Sequence, residues 1–414
     1  MDFGFGCIGI GQGGINIAEQ FAPHFKTIAI DTASQNLDNC NNIKKNLRYH
    51  AEVNKLGGAG KNIQIGEKAI IQHEEEIINL LNMNGLFDMD YVFVNFGLGG
   101  GSGTLGGVQV SRILSERGVE HGMLCTLPTN YEGSDEQINA SVGLYAIEEL
   151  RKQTDYLRSV VIVENEILKE KVMTKDIPFE NLWIEANNYV FNSFFDVLKF
   201  TQQSSSFTID GQDYIKVLKK KGYIVFGSCL VSDIENKTET ALFSEVKESI
   251  EDNIFVKDLN YNTAKGLALI INRPERLNDS KAIENLFTQM RKFIGTGTFA
   301  NGIYSGEQGL LSKAKNIIDK KPLEILTVIS GMAFPKERYN ELKENAEKEI
   351  QNYEEKSSES KLDIDISKIS NYINDSSTKK EKINFSIFNK NQKKEERKTV
   401  KSINWDKIGK SGVK

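Results

Sequence analysis

The chain has 414 residues, 39% hydrophobic and 26% charged, with a net charge of −5. That length suits two domains and a tail, and the composition is that of a soluble globular protein. No run approaches the roughly 20 apolar residues of a membrane span, and Met1-Asp2-Phe3-Gly4-Phe5 lacks the basic start of a secretory signal, so a cytoplasmic protein without a membrane anchor is expected.

The first apolar run, Phe5–Ile10, reads as a strand and leads into Gly9-Ile-Gly11-Gln12-Gly13-Gly14-Ile-Asn16. The next, Thr27–Ile30, ends at Asp31. Gly9, Gly11 and Gly14 fit G-x-G-x-x-G, with an acid about twenty residues on, the dinucleotide fingerprint of an NAD-dependent oxidoreductase. Two further glycine loops argue against that reading. One is Leu56-Gly57-Gly58-Ala59-Gly60-Lys61-Asn62. The other follows the strand-like run Tyr91–Phe96: residues 95–107 hold seven glycines in thirteen positions, including Gly99-Gly100-Gly101-Ser102-Gly103-Thr104. Three such loops in one crevice offer amide nests for several phosphates, more than one pyrophosphate needs. The bland alternative is that some glycines only let helix and strand approach closely. No G-x-x-x-x-G-K-[ST] occurs, so a P-loop is excluded. Charge on the terminal phosphates would fall to amide dipoles, the helix start near Thr104, hydroxyls of Ser102 and Thr104, Lys61 and a Mg²⁺ ion. No side chain is assigned as a metal ligand.

Further strand-like runs at Gly122–Thr126 and Val160–Val163 complete an alternation typical of an α/β fold, a parallel sheet with helices on both faces. Residues 180–200 read as a long helix, apolar nearly all round, and so buried on several sides. The second half shows strand-like runs Tyr223–Phe226, Lys265–Ile271 and Leu323–Ile329, with amphipathic segments near 239–252 and 282–293. The expected organisation is a nucleotide-binding domain over 1–179, a central spine helix over 180–203, and a smaller α/β domain over 204–335. A charged helix over 336–356 and a flexible tail over 357–414 follow. Cys7 and Cys229 sit in apolar runs and read as buried thiols, and neither cysteines nor histidines show metal-ligand spacing.

The glycine loop G-G-G-S-G-T after a strand resembles the signature of the tubulin/FtsZ superfamily of filament-forming GTPases, and the likeness continues in order over residues 1–335. Gly11-Gln12-Gly13-Gly14-Ile15-Asn16 is similar to the first loop, Ile28–Thr32 with Asp31 to the second, and Leu56–Asn62 to the third, where the family contacts the γ-phosphate. Pro128-Thr129-Asn130-Tyr131-Glu132-Gly133 resembles the loop whose acid, here Glu132, meets the ribose. Asn165 and Asn187 occupy positions that read guanine, whose N1–H and O6 an amide can satisfy together. Trp183 falls where an aromatic ring stacks on the base. Thr208-Ile209-Asp210-Gly211-Gln212-Asp213 is similar to the acid loop that enters the neighbouring subunit's pocket; Asp210 and Asp213 keep the acids, and Thr208 replaces an asparagine. The alternative for these acids is an ordinary Asx-type turn. Glu136 departs from the family, standing where a basic residue is usual.

The resemblance implies GTP and GDP as ligands with Mg²⁺, a longitudinal filament of identical subunits, and hydrolysis by Asp210 and Asp213 of the next subunit. The charged helix and tail fit the plasmid- and phage-borne partition tubulins (TubZ) better than the division proteins, which remain the alternative. Lys379–Lys414 carries twelve Lys/Arg against four Asp/Glu, a balance of +8 that leaves −13 on the rest of a chain of −5. With Phe385, Phe388 and Trp405 among these bases, the tail suits a segment that orders on a partner. The resemblance implies a DNA-bound adaptor of the TubR kind; direct DNA contact is the alternative, and mere solvation the bland one. A passive filament protein without hydrolysis would have no need of the two acids.

Overall fold

The computed structural model describes residues 4–53, 57–174, 177–203, 205, 208–232, 237–273, 280–295, 297–304 and 323–359. Leu56, Phe207 and the basic tail lie outside these. Among the described residues, ten strands form one sheet in the order β3-β2-β1-β4-β5-β6-β7-β10-β8-β9. The first six are β1 (Phe5–Ile10), β2 (Lys26–Asp31), β3 (Arg48–His50), β4 (Tyr91–Gly97), β5 (His121–Leu127) and β6 (Leu157–Glu164), all parallel to their neighbours. β1, β4 and β5 are almost wholly buried along their length, which is why they read as continuous apolar runs rather than alternating ones.

The second half continues the same sheet. β7 (Gly222–Val231) pairs parallel with β6 at only two positions, Ser159 with Gly222 and Val160 with Tyr223. Beyond it β10 (Leu323–Met332) runs antiparallel to both β7 and β8 (Gly266–Asn272), and β9 (Thr298–Tyr304) closes the edge parallel to β8. β3 and β9 are absent from the sequence expectation for a physical reason. β3 is three partly exposed residues, and β9 buries only Ala300, Gly302 and Tyr304.

The helices are α1 (Gly11–Phe21), α2 (Ser34–Asp38), α3 (Ile63–Gln72), α4 (Glu74–Met83), α5 (Gly101–Glu116), α6 (Ser134–Gln153) and α7 (Asn165–Met173) in the first half. The spine follows as α8 (Leu182–Phe200), then α9 (Gly211–Leu218), α10 (Glu239–Glu251), α11 (Ser280–Phe293) and α12 (Lys336–Glu359). No helix among the described residues is long and apolar enough to cross a membrane.

Phe194 of α8 shows why the spine carries apolar residues on more than one side. Its ring lies 5.0 Å from Phe5 and 5.5 Å from Phe93 on the first-half strands, and 6.1 Å from Phe226 and 6.4 Å from Tyr214 in the second half. One side chain thus joins elements of both halves of the chain through tilted and edge-on aromatic contacts. All four cysteines are buried, and burial pushes the Cys7 and Cys125 thiols up, which keeps them inert.

His121, the first residue of β5, is fully buried, with Nε2 on Ser111 Oγ and Nδ1 2.8 Å from Val119 O. Burial lowers its imidazole from 6.5 to about 4. Between those values the unfolded chain binds a proton that the folded one refuses, so stability present above pH 6.5 is lost as pH falls toward 4. The loss reaches on the order of 3 kcal/mol. Chemical denaturation of the wild type and His121→Gln at pH 7 and pH 4.5 is expected to show the smaller acid-induced drop in the variant; equal drops would contradict this.

Candidate functional site: a glycine-lined crevice at the sheet's switch point

After β1 the chain moves outward to β2 and β3, then returns to β4 on the opposite side of β1. The loops leaving β1 and β4 therefore diverge, and such a reversal opens a crevice at the carboxyl ends of the strands. Here that crevice has a volume of about 420 Å³. Gly11, Gln12, Gly13, Ala59, Gly60, Lys61, Gly99, Gly100, Gly101, Ser102, Gly103, Pro128, Glu132 and Asn165 line it, as do Ala33, Asn36 and Thr126. Asn16, Asp31, Asn62, Thr104, Trp183 and Asn187 are not among the lining residues.

Two helices begin in this wall. The residues preceding α1 and α5, Ile10 and Gly100, supply no side-chain cap, so the first amides of both helices are left for another acceptor. The starts touch: a Cβ built on Gly11 would lie 2.9 Å from the Gly103 amide nitrogen. Two positive helix ends aimed at one place favour a ligand with several negative charges. Of the lining residues only Lys61 is cationic. It is held in the left-handed region at φ 65° and pairs with Glu136, which raises its pKa. Glu136, where the resemblance breaks, is therefore the counter-ion of the crevice's lysine, and its Oε2 has no hydrogen-bond partner among the described residues.

Several expected ligand side chains are used by the protein itself. Thr104 is fully buried, with Oγ1 2.6 Å from Gly100 O and 2.9 Å from Leu98 O, so its hydroxyl stabilises the loop instead of facing a phosphate. Ser102 Oγ bonds Thr32 Oγ1 at 2.6 Å, and Thr32 also accepts the Ala59 amide at 3.0 Å. Asp31 is 1% exposed and accepts from the Ala33 amide and from Asn36 Nδ2 at 2.7 Å. It orients Asn36 toward the crevice and is not placed for a ribose, which removes the dinucleotide reading of that acid. Asn62 caps α3, accepting from the amides of Gln64 and Ile65 at 3.1 Å each. Glu132 Oε1 accepts from the Thr129 amide at 2.8 Å. Asn16 is exposed on α1, and Asn187 is partly buried on α8. Trp183, at the start of α8, packs against the hydrophobic core and contributes no crevice wall.

The acid loop stands apart from its own crevice. Asp210 is exposed and caps α9, accepting from the Asp213 amide at 2.7 Å. Asp213 pairs with Lys216 at 2.8 Å on the surface. Behind them Tyr304 fixes the loop, its hydroxyl accepting from the Ile209 amide at 3.0 Å and lying 3.2 Å from Ile209 O. The Asx-type cap and the catalytic reading thus coexist, since a cap needs one oxygen of one carboxylate.

Asn139 carries no motif and escaped the sequence reading, as do Ala33 and Asn36. From α6 its Nδ2 donates to Lys61 O at 2.8 Å and Gly99 O at 3.0 Å, joining two glycine loops into one wall. It is 7% exposed. Asn139→Ala leaves two loop carbonyls unpaired and is expected to lower affinity for the crevice's ligand about tenfold, read by titration with a fluorescent nucleotide. Unchanged affinity would mean that the loops hold their spacing without it.

Residues 6–173 match the family model described as "Tubulin/FtsZ family, GTPase domain". The chain is 29% identical over 268 residues to the cell division protein FtsZ of Buchnera aphidicola subsp. Baizongia pistaciae, covering 64% of this chain and 65% of that protein. It is 24% identical over 360 residues to the tubulin-like protein TubZ of Bacillus cereus, covering 80% of each. Among solved structures, it superposes on a GTPγS-form protofilament of Bacillus thuringiensis serovar israelensis TubZ with a TM-score of 0.72 at 21% identity, covering 86% of this chain and 94% of that one.

Proposed function

We propose that this chain, whose residues 6–173 match the Tubulin/FtsZ GTPase-domain model, is a filament-forming GTPase that cleaves GTP at a site completed by the next subunit. The observation that carries this reading is the separation of binding from chemistry. The crevice offers free helix-start amides and glycines, while Asp210 and Asp213 line no part of it. Two carboxylates beside a triphosphate would repel it within one subunit. Supplied by a neighbour, they act only once a filament exists, polarising the attacking water.

In this reading residues 1–179 bind nucleotide, 180–203 form the spine, 204–335 carry the acid loop, and the helix of 336–356 leads into the tail. Asn165 meets the base, Glu132 the ribose, and Gly99–Gly103 with Gly11–Gly13 the phosphates. A Mg²⁺ ion would supply charge neutralisation. Among the described residues no group of three or more His, Cys, Asp and Glu could hold a metal. Likeness to TubZ over 360 residues, together with the charged α12, supports DNA partition as the task, with the basic tail engaging a DNA-bound adaptor. Residues 360–414 lie outside the described structure.

The test is the dependence of hydrolysis on concentration. GTP turnover per subunit is expected to rise sharply above a critical concentration, together with pelletable polymer. A rate per molecule that stays flat across dilution would remove the shared site.

A further inference from the structure

The C-terminal helix reaches the crevice through one ion pair. Arg338, in the first turn of α12, donates from Nε to Glu164 Oε1 at 2.8 Å and from Nη2 to Glu164 Oε2 at 2.9 Å. This is the bidentate fork that makes arginine–carboxylate pairs geometrically specific. Its Nη1 donates to Glu341 at 2.8 Å. The side chains of Arg338 and Glu164 are 16% and 5% exposed, so the pair is largely withdrawn from water.

Glu164 is the last residue of β6, and Asn165, the next residue, opens α7 and forms part of the crevice wall. A short polar side chain at that position, Ser, Thr, Asp or Asn, would cap the helix it precedes. Glu164 makes no such cap; its carboxylate goes to Arg338. Its amide donates to Ile254 O at 2.8 Å. The arginine is itself held in place, because Tyr339 beside it stacks on Tyr145 of α6 at 6.5 Å and contacts Phe334 at 5.4 Å. An element 174 residues away in sequence therefore holds the side chain of the residue that precedes Asn165.

Resting on the reading that Asn165 meets a guanine base, we propose that Arg338 is a positioning residue for base recognition. Through Glu164 it sets Asn165, so guanine selectivity requires the C-terminal helix to be docked. The helix that leads into the tail thereby becomes part of the nucleotide site's specificity, although it touches no nucleotide.

The experiment compares GTP and ATP affinities of the full chain with those of Arg338→Met, Glu164→Gln and the double variant. Breaking a buried pair on one side leaves a lone charge that destabilises by itself, so the double variant, which leaves neither charge, decides. It is expected to lose about tenfold in GTP affinity, the value of one hydrogen bond to the base, with ATP affinity nearly unchanged. If it does not fold, Arg338→Lys, which keeps the charge without the fork, is expected to show a smaller loss of the same ratio. A folded variant with the wild-type GTP-to-ATP ratio overturns the proposal. So does an equal loss of both nucleotides, which would mark general loosening. A wild type without guanine preference overturns the underlying reading and the proposal with it.

Discussion

Gly66→Ala is expected to weaken nucleotide binding, with affinity falling by about tenfold to a hundredfold. In an isolated helix the change would be favourable by about 1 kcal/mol, since alanine is the better helix former. Here a Cβ on Gly66 would lie 2.1 Å from Gly101 O and 2.9 Å from Ser102 Cα, both in backbone that cannot rotate away. α3 would have to retreat from the start of α5, and the loop 57–62 that leads into α3 would retreat with it. Overpacking of this kind costs roughly 1–3 kcal/mol of stability, and the same cost taken from binding corresponds to about tenfold to a hundredfold in affinity. Gly14, whose Cβ would meet Asn95 O at 2.0 Å, should behave alike. Gly100 is the control: it lines the same crevice but a Cβ there meets nothing within 4 Å, so Gly100→Ala should lower the thermal midpoint only by the small cost of alanine at a helix cap, less than Gly66→Ala does. Equal midpoints and affinities in Gly66→Ala and Gly100→Ala would refute the division into packing and cradling glycines.

That division marks the limit of what the sequence discloses. The loops were legible because glycine runs between strand and helix have few other uses. Which glycine faces a ligand and which admits a neighbouring backbone depends on the approach of α3 to α5 and of α1 to β4, and no local pattern encodes it. The strands buried on both faces were legible as apolar runs, and the spine helix as an apolar stretch of helical length. β3 and β9 were not, because an edge strand needs little apolar surface. Polar residues divided similarly. Asp210 showed its capping role locally, through an acid three residues before the amide it accepts. Asn139 and Arg338 act across 40 to 174 residues of chain, and from sequence they are merely polar positions on helices.

Asp213→Asn is expected to cut GTP hydrolysis by about a hundredfold or more, the usual contribution of a residue acting as general base, while leaving GTP binding unchanged and filaments persistent. The structure makes this substitution a clean one. Asp213 holds Lys216 with side chains 46% and 62% exposed, and surface pairs of that kind contribute little to stability. Its amide, which Asp210 accepts, is unaffected by the change. Asp210→Asn separates cap from charge in the same way, since asparagine caps a helix about as well as aspartate. Any loss of hydrolysis there arises from the missing charge and not from a frayed α9. Asp210→Ala, in contrast, should also cost about 1 kcal/mol of stability. Measuring turnover, nucleotide affinity and sedimented polymer on each variant distinguishes the cases. An asparagine variant that loses nucleotide affinity while hydrolysing normally would show that the acids act in binding. One that hydrolyses and disassembles like the wild type would leave Asp213 with its surface lysine and Asp210 with its cap as their only work, and the chemistry would have to come from the crevice's own carboxylate, Glu132, or from Glu136, the partner of Lys61.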